Sequence, residues 1–123
     1  MKNLSLFVKI IFPIWFITSI PTFAESKATE KSMQNHETTS AYEKGKILYD
    51  QKKYSEAFPL LLKAAEMGHA DAQMHIGKMY YNGWGVEHSH EKGKEWHEKA
   101  AKQGNQESIQ KLENMRTHKG PSH

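Results

Sequence analysis

The chain has 123 residues, 37% of them hydrophobic and 25% charged, with a formal net charge of +3 and no cysteine. These proportions leave room for one ordinary soluble domain. The missing thiols exclude a disulfide staple and a cysteine-borne lipid, so packing alone must hold the fold.

The first segment differs from the rest. Met1 to Ala24 carries Lys2 and Lys9, then the apolar run Ile10 to Ile17, and no acidic residue. A basic start, a short apolar stretch and the small-residue end Thr22-Phe23-Ala24 describe a secretory signal peptide cut after Ala24. A permanent anchor is the lesser reading, because the run is shorter than the roughly 20 residues of a spanning helix and Pro13 interrupts it. The mature protein is therefore expected in the periplasm of a Gram-negative cell or secreted, with no membrane attachment after the leader is removed. Without Lys2 and Lys9, 15 basic residues face 14 acidic ones, a net charge of +1. Non-specific binding to nucleic acid or an anionic membrane loses its compositional support.

Residues 25–39 are polar with an isolated Met33 and no apolar period, which predicts a flexible linker. Ser40, with Glu43 three residues on, predicts a capped helix start. Ala41, Gly45, Leu48 and Tyr49 then recur at helical spacing until Asp50-Gln51-Lys52-Lys53 breaks the pattern. Tyr54, Ala57, Phe58, Leu61, Leu62, Ala64 and Ala65 predict a second amphipathic helix that stops at Gly68, with Pro59 tolerable only near its first turn. Ala72, Ile76, Gly77 and Tyr80 predict a third, ended by Asn82-Gly83-Trp84-Gly85-Val86. Gly93, Trp96, His97, Ala100 and Ala101 predict a fourth, started by Ser89 and stopped at Gly104. Gly45 aligns with Gly77 at a period of 32 residues, and Ala64-Ala65 with Ala100-Ala101 at 36. After Gly104 the pattern begins again, Ser108 standing where Ala72 did and Leu112 where Ile76 did. The last helix, roughly Gln106 to Met115, is expected to cap the stack, and residues 117–123 to form a disordered tail. Two-helix units of this period predict an all-α fold, a short α-solenoid of about five helices over residues 40–116.

The run Ala72-x-x-x-Ile76-Gly77-x-x-Tyr80-x-x-Gly83-x-Gly85-Val86, followed by Lys92-Gly93-x-x-Trp96-His97-x-Lys99-Ala100-Ala101-x-x-Gly104, resembles a Sel1-like repeat. The first unit is shorter and is similar to a tetratricopeptide or truncated Sel1-like unit. Gly45 and Gly77 fit places where helices press together, and Gly83 and Gly85 fit a tight turn. Against the family pattern, Gly93 replaces an alanine at about 1 kcal/mol of helix propensity, His97 replaces an aromatic and Ser89 an aspartate. Gly93 and His97 together predict a loosely held last hairpin.

The resemblance implies a protein or peptide partner bound in the groove lined by the first helix of each pair. Tyr42, Lys46 and Tyr49 hold those positions in the first unit, and Met74, Lys78 and Tyr81 in the second. Aromatic side chains give contact area at low entropic cost, and the lysines suit an acidic segment. Trp84 is either an exposed anchor at the rim or folded back on Tyr81 or Trp96. Eight histidines raise a metal question, but His90 and His97 lie about 10 Å apart along a helix, too far to share an ion. No metal, no cofactor and no catalytic residue is expected, since nucleophile-elbow, zinc and phosphate-loop motifs are all missing. Two further readings are a small cell-wall enzyme or ligand-binding protein, and a subunit that stacks end to end with itself or a larger repeat protein.

Overall fold

A computed structural model describes residues 22–118. Its described residues form five helices and no strand: α1 Thr22–Asp50, α2 Tyr54–Glu66, α3 Ala70–Asn82, α4 His90–Lys102 and α5 Gln106–His118. The expected leader, apart from its last three residues, and the tail beyond His118 lie outside them. Thr117 and His118 are helical rather than part of the tail. Among the described residues no helix is long and apolar enough to cross a membrane.

The chain divides into two compact units after Asn35. The described part of the first is the start of α1, with Thr29 to Asn35 exposed. Here the expectation of a linker and a cap at Ser40 is corrected, because α1 begins at Thr22 and runs straight through Ser40 and Glu43. No glycine or proline interrupts residues 22–44, and Glu, Lys, Ala, Gln and Met are good helix formers. Propensity therefore carries the helix where no apolar face exists.

The second unit, His36 onward, holds the repeats. α1 ends with Lys53 N–H donating to the Leu48 carbonyl and Lys52 N–H to that of Tyr49, which forces Lys52 to a left-handed φ of 61°. The same bond pattern closes α2 at Gly68 and α4 at Gly104. The N-caps of α3, α4 and α5 are side chains with an acceptor: His69 Nδ1 takes the Ala72 N–H, Ser89 Oγ that of Lys92, and Asn105 Oδ1 that of Ser108. Between α3 and α4, Gly83 and Gly85 have φ of 68° and 71°. A Cβ on Gly85 would stand 2.5 Å from the Tyr54 carbonyl, so this turn lies directly on the start of α2.

The core is built from small residues more than from bulk. Ala57, Leu61, Ala64, Ala65, Ala72, Ile76 and Met79 are fully buried, with Tyr54, Phe58, Tyr80, Val86 and Trp96 packed around them. Alanine and glycine let helix axes approach, and the few large side chains fill what remains. A Cβ on Gly45 would meet Leu61 at 2.8 Å, and one on Gly77 would meet His97 at 2.8 Å, so the two glycines play the same part in successive hairpins. The second crossing is closer still, because Gly93 faces Gly77: each Cβ would fall within 3.1 Å of the other residue's carbonyl oxygen. The expected looseness of this hairpin is thus corrected. Gly93 lets two backbones touch, and His97 is buried at 1% exposure with Nδ1 bonded to Ser108 Oγ at 3.0 Å.

An exposed helical Gly→Ala change gains about 1 kcal/mol of helix propensity. At Gly93 the added methyl would meet Tyr81 at 2.6 Å, and overpacking of this kind costs about 1–3 kcal/mol. Urea unfolding is therefore expected to give Gly93→Ala and Gly77→Ala lower midpoints than the parent, and a midpoint raised in either would contradict so close a crossing.

Candidate functional site

The first helices of the successive units, α1, α3 and α5, together enclose a cleft of about 320 Å³. α1 contributes Tyr49 and α3 contributes Lys78 and Asn82, while the turn after α3 supplies Trp84. On the far bank stand Glu107, Gln110, Lys111 and Asn114 of α5, and His97 of α4 completes the lining. The cleft is amphipathic, with an aromatic wall at one bank and amides and charges at the other.

The aromatic bank is held by ring contacts. Trp84 stacks on Tyr54 with centroids 4.8 Å apart and planes at 10°, and meets the edge of Tyr49 at 6.1 Å. The indole does fold back, but onto α1 and α2 rather than onto Tyr81 or Trp96, because Gly85 seats the turn against the Tyr54 backbone. Tyr49 also lies 4.6 Å from the ring of His75 and 5.3 Å from Tyr54. Burial, then the neighbouring Tyr54, pushes its phenol up to about 12, so the hydroxyl stays protonated.

The polar bank is fixed by contacts between α3 and α5. Lys78 forms an ion pair with Glu107, Asn105 Nδ2 donates to Asp71 Oδ1 at 2.8 Å, and the Tyr81 hydroxyl donates to the Met115 sulfur at 3.3 Å. Lys111 Nζ lies 4.6 Å from the centre of the Tyr81 ring. Asn82 Nδ2 donates to the Lys78 carbonyl, which leaves Oδ1 as an acceptor.

Of the seven residues expected to bind a partner, Tyr49, Lys78 and Trp84 come together in this cleft. The other four do not line it. Met74 is 7% exposed, since α3 is covered all round and six consecutive residues, Ala72 to Gly77, are buried. Tyr42 is half-buried against His69, rings stacked at 4.1 Å, and Lys46 is drawn 2.7 Å from Asp50 one turn along its own helix. Tyr81 lies under His90 at 4.4 Å and lines a separate recess between α4 and α5 instead.

Asn82, Gln110, Lys111 and Asn114 were not anticipated, although a signal for two of them existed. Ser108 and Leu112 repeat Ala72 and Ile76 at 36 residues, and the same step carries Met74 to Gln110 and Lys78 to Asn114. Reading α5 only as a cap hid the fact that it is also a first helix, with a groove-facing side.

Two buried histidines complete the interior. His75 is 5% exposed, and among the described residues its Nδ1 and the Nε2 of His97 have no hydrogen-bond partner. Burial, reinforced by Lys78 and Lys46, lowers His75 to about 4. Burial with Lys111 and Lys78 lowers His97 to about 4 as well. Both are neutral at pH 7. Among the described residues no group of three or more His, Asp or Glu side chains could hold a metal ion.

A model of the Sel1 repeat matches residues 40–69 and 70–105, with the division falling at the His69 cap of α3. No curated protein and no solved structure matches the chain.

The histidines carry a pH dependence with a definite sign. An unfolded chain takes up their protons near 6.5 and the folded one only near 4, so their contribution is complete above 6.5 and is lost as pH falls toward 4. The loss is on the order of 3 kcal/mol for each. Denaturant melts from pH 7 to 4 are expected to show this decline, and His75→Leu, which also removes the unpaired nitrogen, to reduce it by about half. An unchanged slope in that variant would take His75 out of the account.

Proposed function

Because the chain belongs to the Sel1 repeat family, whose repeats mediate protein–protein interaction, we propose that it is an exported adaptor that holds a partner protein or peptide in the α1–α3–α5 cleft. The observation that carries this reading is the cleft itself. Two positions chosen on repeat register, Tyr49 and Lys78, and Trp84 of the turn after α3 converge there opposite the carboxamides and charges of α5. An aromatic anchor facing adaptable polar groups is the composition of a recognition surface. Repeat scaffolds of this kind are typically non-enzymatic, and the Ser108 hydroxyl that His97 Nδ1 meets at 3.0 Å is fully buried, where it serves packing rather than attack on a substrate. The export part rests on the leader-like residues Met1 to Ala24. A partner met outside the cytoplasm, in the periplasm or beyond the cell, follows from that part of the reading.

A photo-reactive amino acid in place of Asn82, at the cleft, is expected to cross-link a discrete partner in cells, whereas the same group at Glu66 on the exposed side of α2 is not. Trp84→Ala should reduce the Asn82 cross-link at least tenfold with helix content retained. Equal yields at the two positions, or a yield insensitive to Trp84, would remove the cleft from partner binding.

A further inference from the structure

The α5 bank of the cleft offers more than general polarity. Gln110 and Asn114 stand one helical turn apart, and their carboxamides take no hydrogen-bond partner among the described residues. Each presents a donor and an acceptor side by side, the complement of one backbone peptide group. Four residues of helix advance about 6 Å, and two residues of extended chain about 6.6 Å. The two carboxamides are therefore spaced for alternate peptide groups of an extended strand lying along α5. Across the cleft Asn82 Oδ1, which has no partner among the described residues, can accept from that strand's other edge.

The charges narrow the choice further. Lys78 and Glu107 neutralise one another. Lys111 forms no ion pair among the described residues and rests over the Tyr81 ring. His97, beside it, is neutral. Among the described residues the cleft thus keeps one uncompensated cation, next to Gln110. At the opposite bank Trp84 has one ring face covered by Tyr54 while still lining the cleft, so an apolar side chain has an aromatic surface to lie on.

We infer that the partner's contact segment is an extended peptide with an acidic residue for Lys111 and an apolar or aromatic residue for Trp84, its backbone gripped by Gln110, Asn114 and Asn82. This rests on the reading of the α1–α3–α5 cleft as the binding surface, and deepens it by naming the chemistry of the occupant. The backbone grip makes binding tolerant of sequence, and the two side-chain contacts fix direction and register.

A random dodecapeptide library displayed on phage and panned on the full chain tests the inference. Enriched peptides are expected to carry Asp or Glu at a fixed short spacing from an apolar residue. Lys111→Glu should reverse the acidic preference to a basic one, and Gln110→Ala with Asn114→Ala should weaken synthetic copies at least tenfold. These side chains are exposed on α5, and alanine preserves the helix, which circular dichroism checks. N-methylation of an enriched peptide should be harmful at alternate positions only. No enrichment, enrichment without the acidic residue, or indifference to the double variant would each overturn the inference. Aromatic walls with amides also suit sugars, so a shift of indole emission with chitotetraose and none with peptides would overturn it in favour of a glycan. If the library fails while cross-linking stays confined to Asn82, the cleft still binds a partner, but a folded one. Failure of both experiments removes the cleft itself.

Discussion

The rest of the structure depends on the place where α3 and α4 meet backbone to backbone, at Gly77 and Gly93. No side chain separates the helices there, so the ring of His97, one turn beyond Gly93, is driven under α3 and sealed from water. From that position its Nδ1 reaches Ser108 on α5. Ser108 is itself fully buried, and its backbone N–H is the group that Asn105 caps. One close approach thereby sets three helices in order, and the last of them carries the polar bank of the cleft. A larger residue at Gly77 or Gly93 would act on the site without touching it.

Between α1 and α3 a different device operates. Instead of small residues there is a run of rings, His69 on Tyr42, Tyr42 near His75, His75 on Tyr49, and Tyr49 against Tyr54 and Trp84. Edge and stacked contacts of this kind contribute roughly 0.5–1.5 kcal/mol each beyond the area they bury. They fix side-chain directions as well as distances. The cost is a buried ring nitrogen with no partner at His75, a group that an apolar side chain of similar volume would not carry. Gln73 shows the alternative: also buried, it donates to the Ala65 carbonyl and accepts from Gln103, so both ends of its amide are used.

Much of this was legible because it is local. Glycine after an apolar run marks a helix end whatever surrounds it, and Gly68, Gly83 and Gly104 all stop helices in left-handed conformations. Ser89 caps α4 as its residue type suggests. Gly45 and Gly77 could be paired by their spacing. What could not be read depends on neighbours distant in sequence. The cap signal at Ser40 lost because the polar residues before it are themselves helix formers, and a cap is only a bias of about 1 kcal/mol. Gly93 looked like a defect in its own helix, and its use is visible only opposite Gly77. Met74 and Tyr81 follow the same repeat register as Tyr42 and Tyr49, yet among the described residues α3 is flanked on both sides where α1 is not, so one is buried and the other lies beneath α4.

The glycine crossing also bears on how far such an array can be continued. The positions of closest helix approach are Gly45 in the first unit and Gly77 in the second, and the 36-residue step that relates Ala72 to Ser108 places Glu113 third in that series. A glutamate occupies the spot where the covering helix of another hairpin would have to press, and it brings both bulk and a charge that would have to be stripped of water. A third close crossing of the Gly45 and Gly77 kind is therefore disfavoured at this position. Extending the described array by duplication of a unit after α5 would call for a glycine in place of that glutamate.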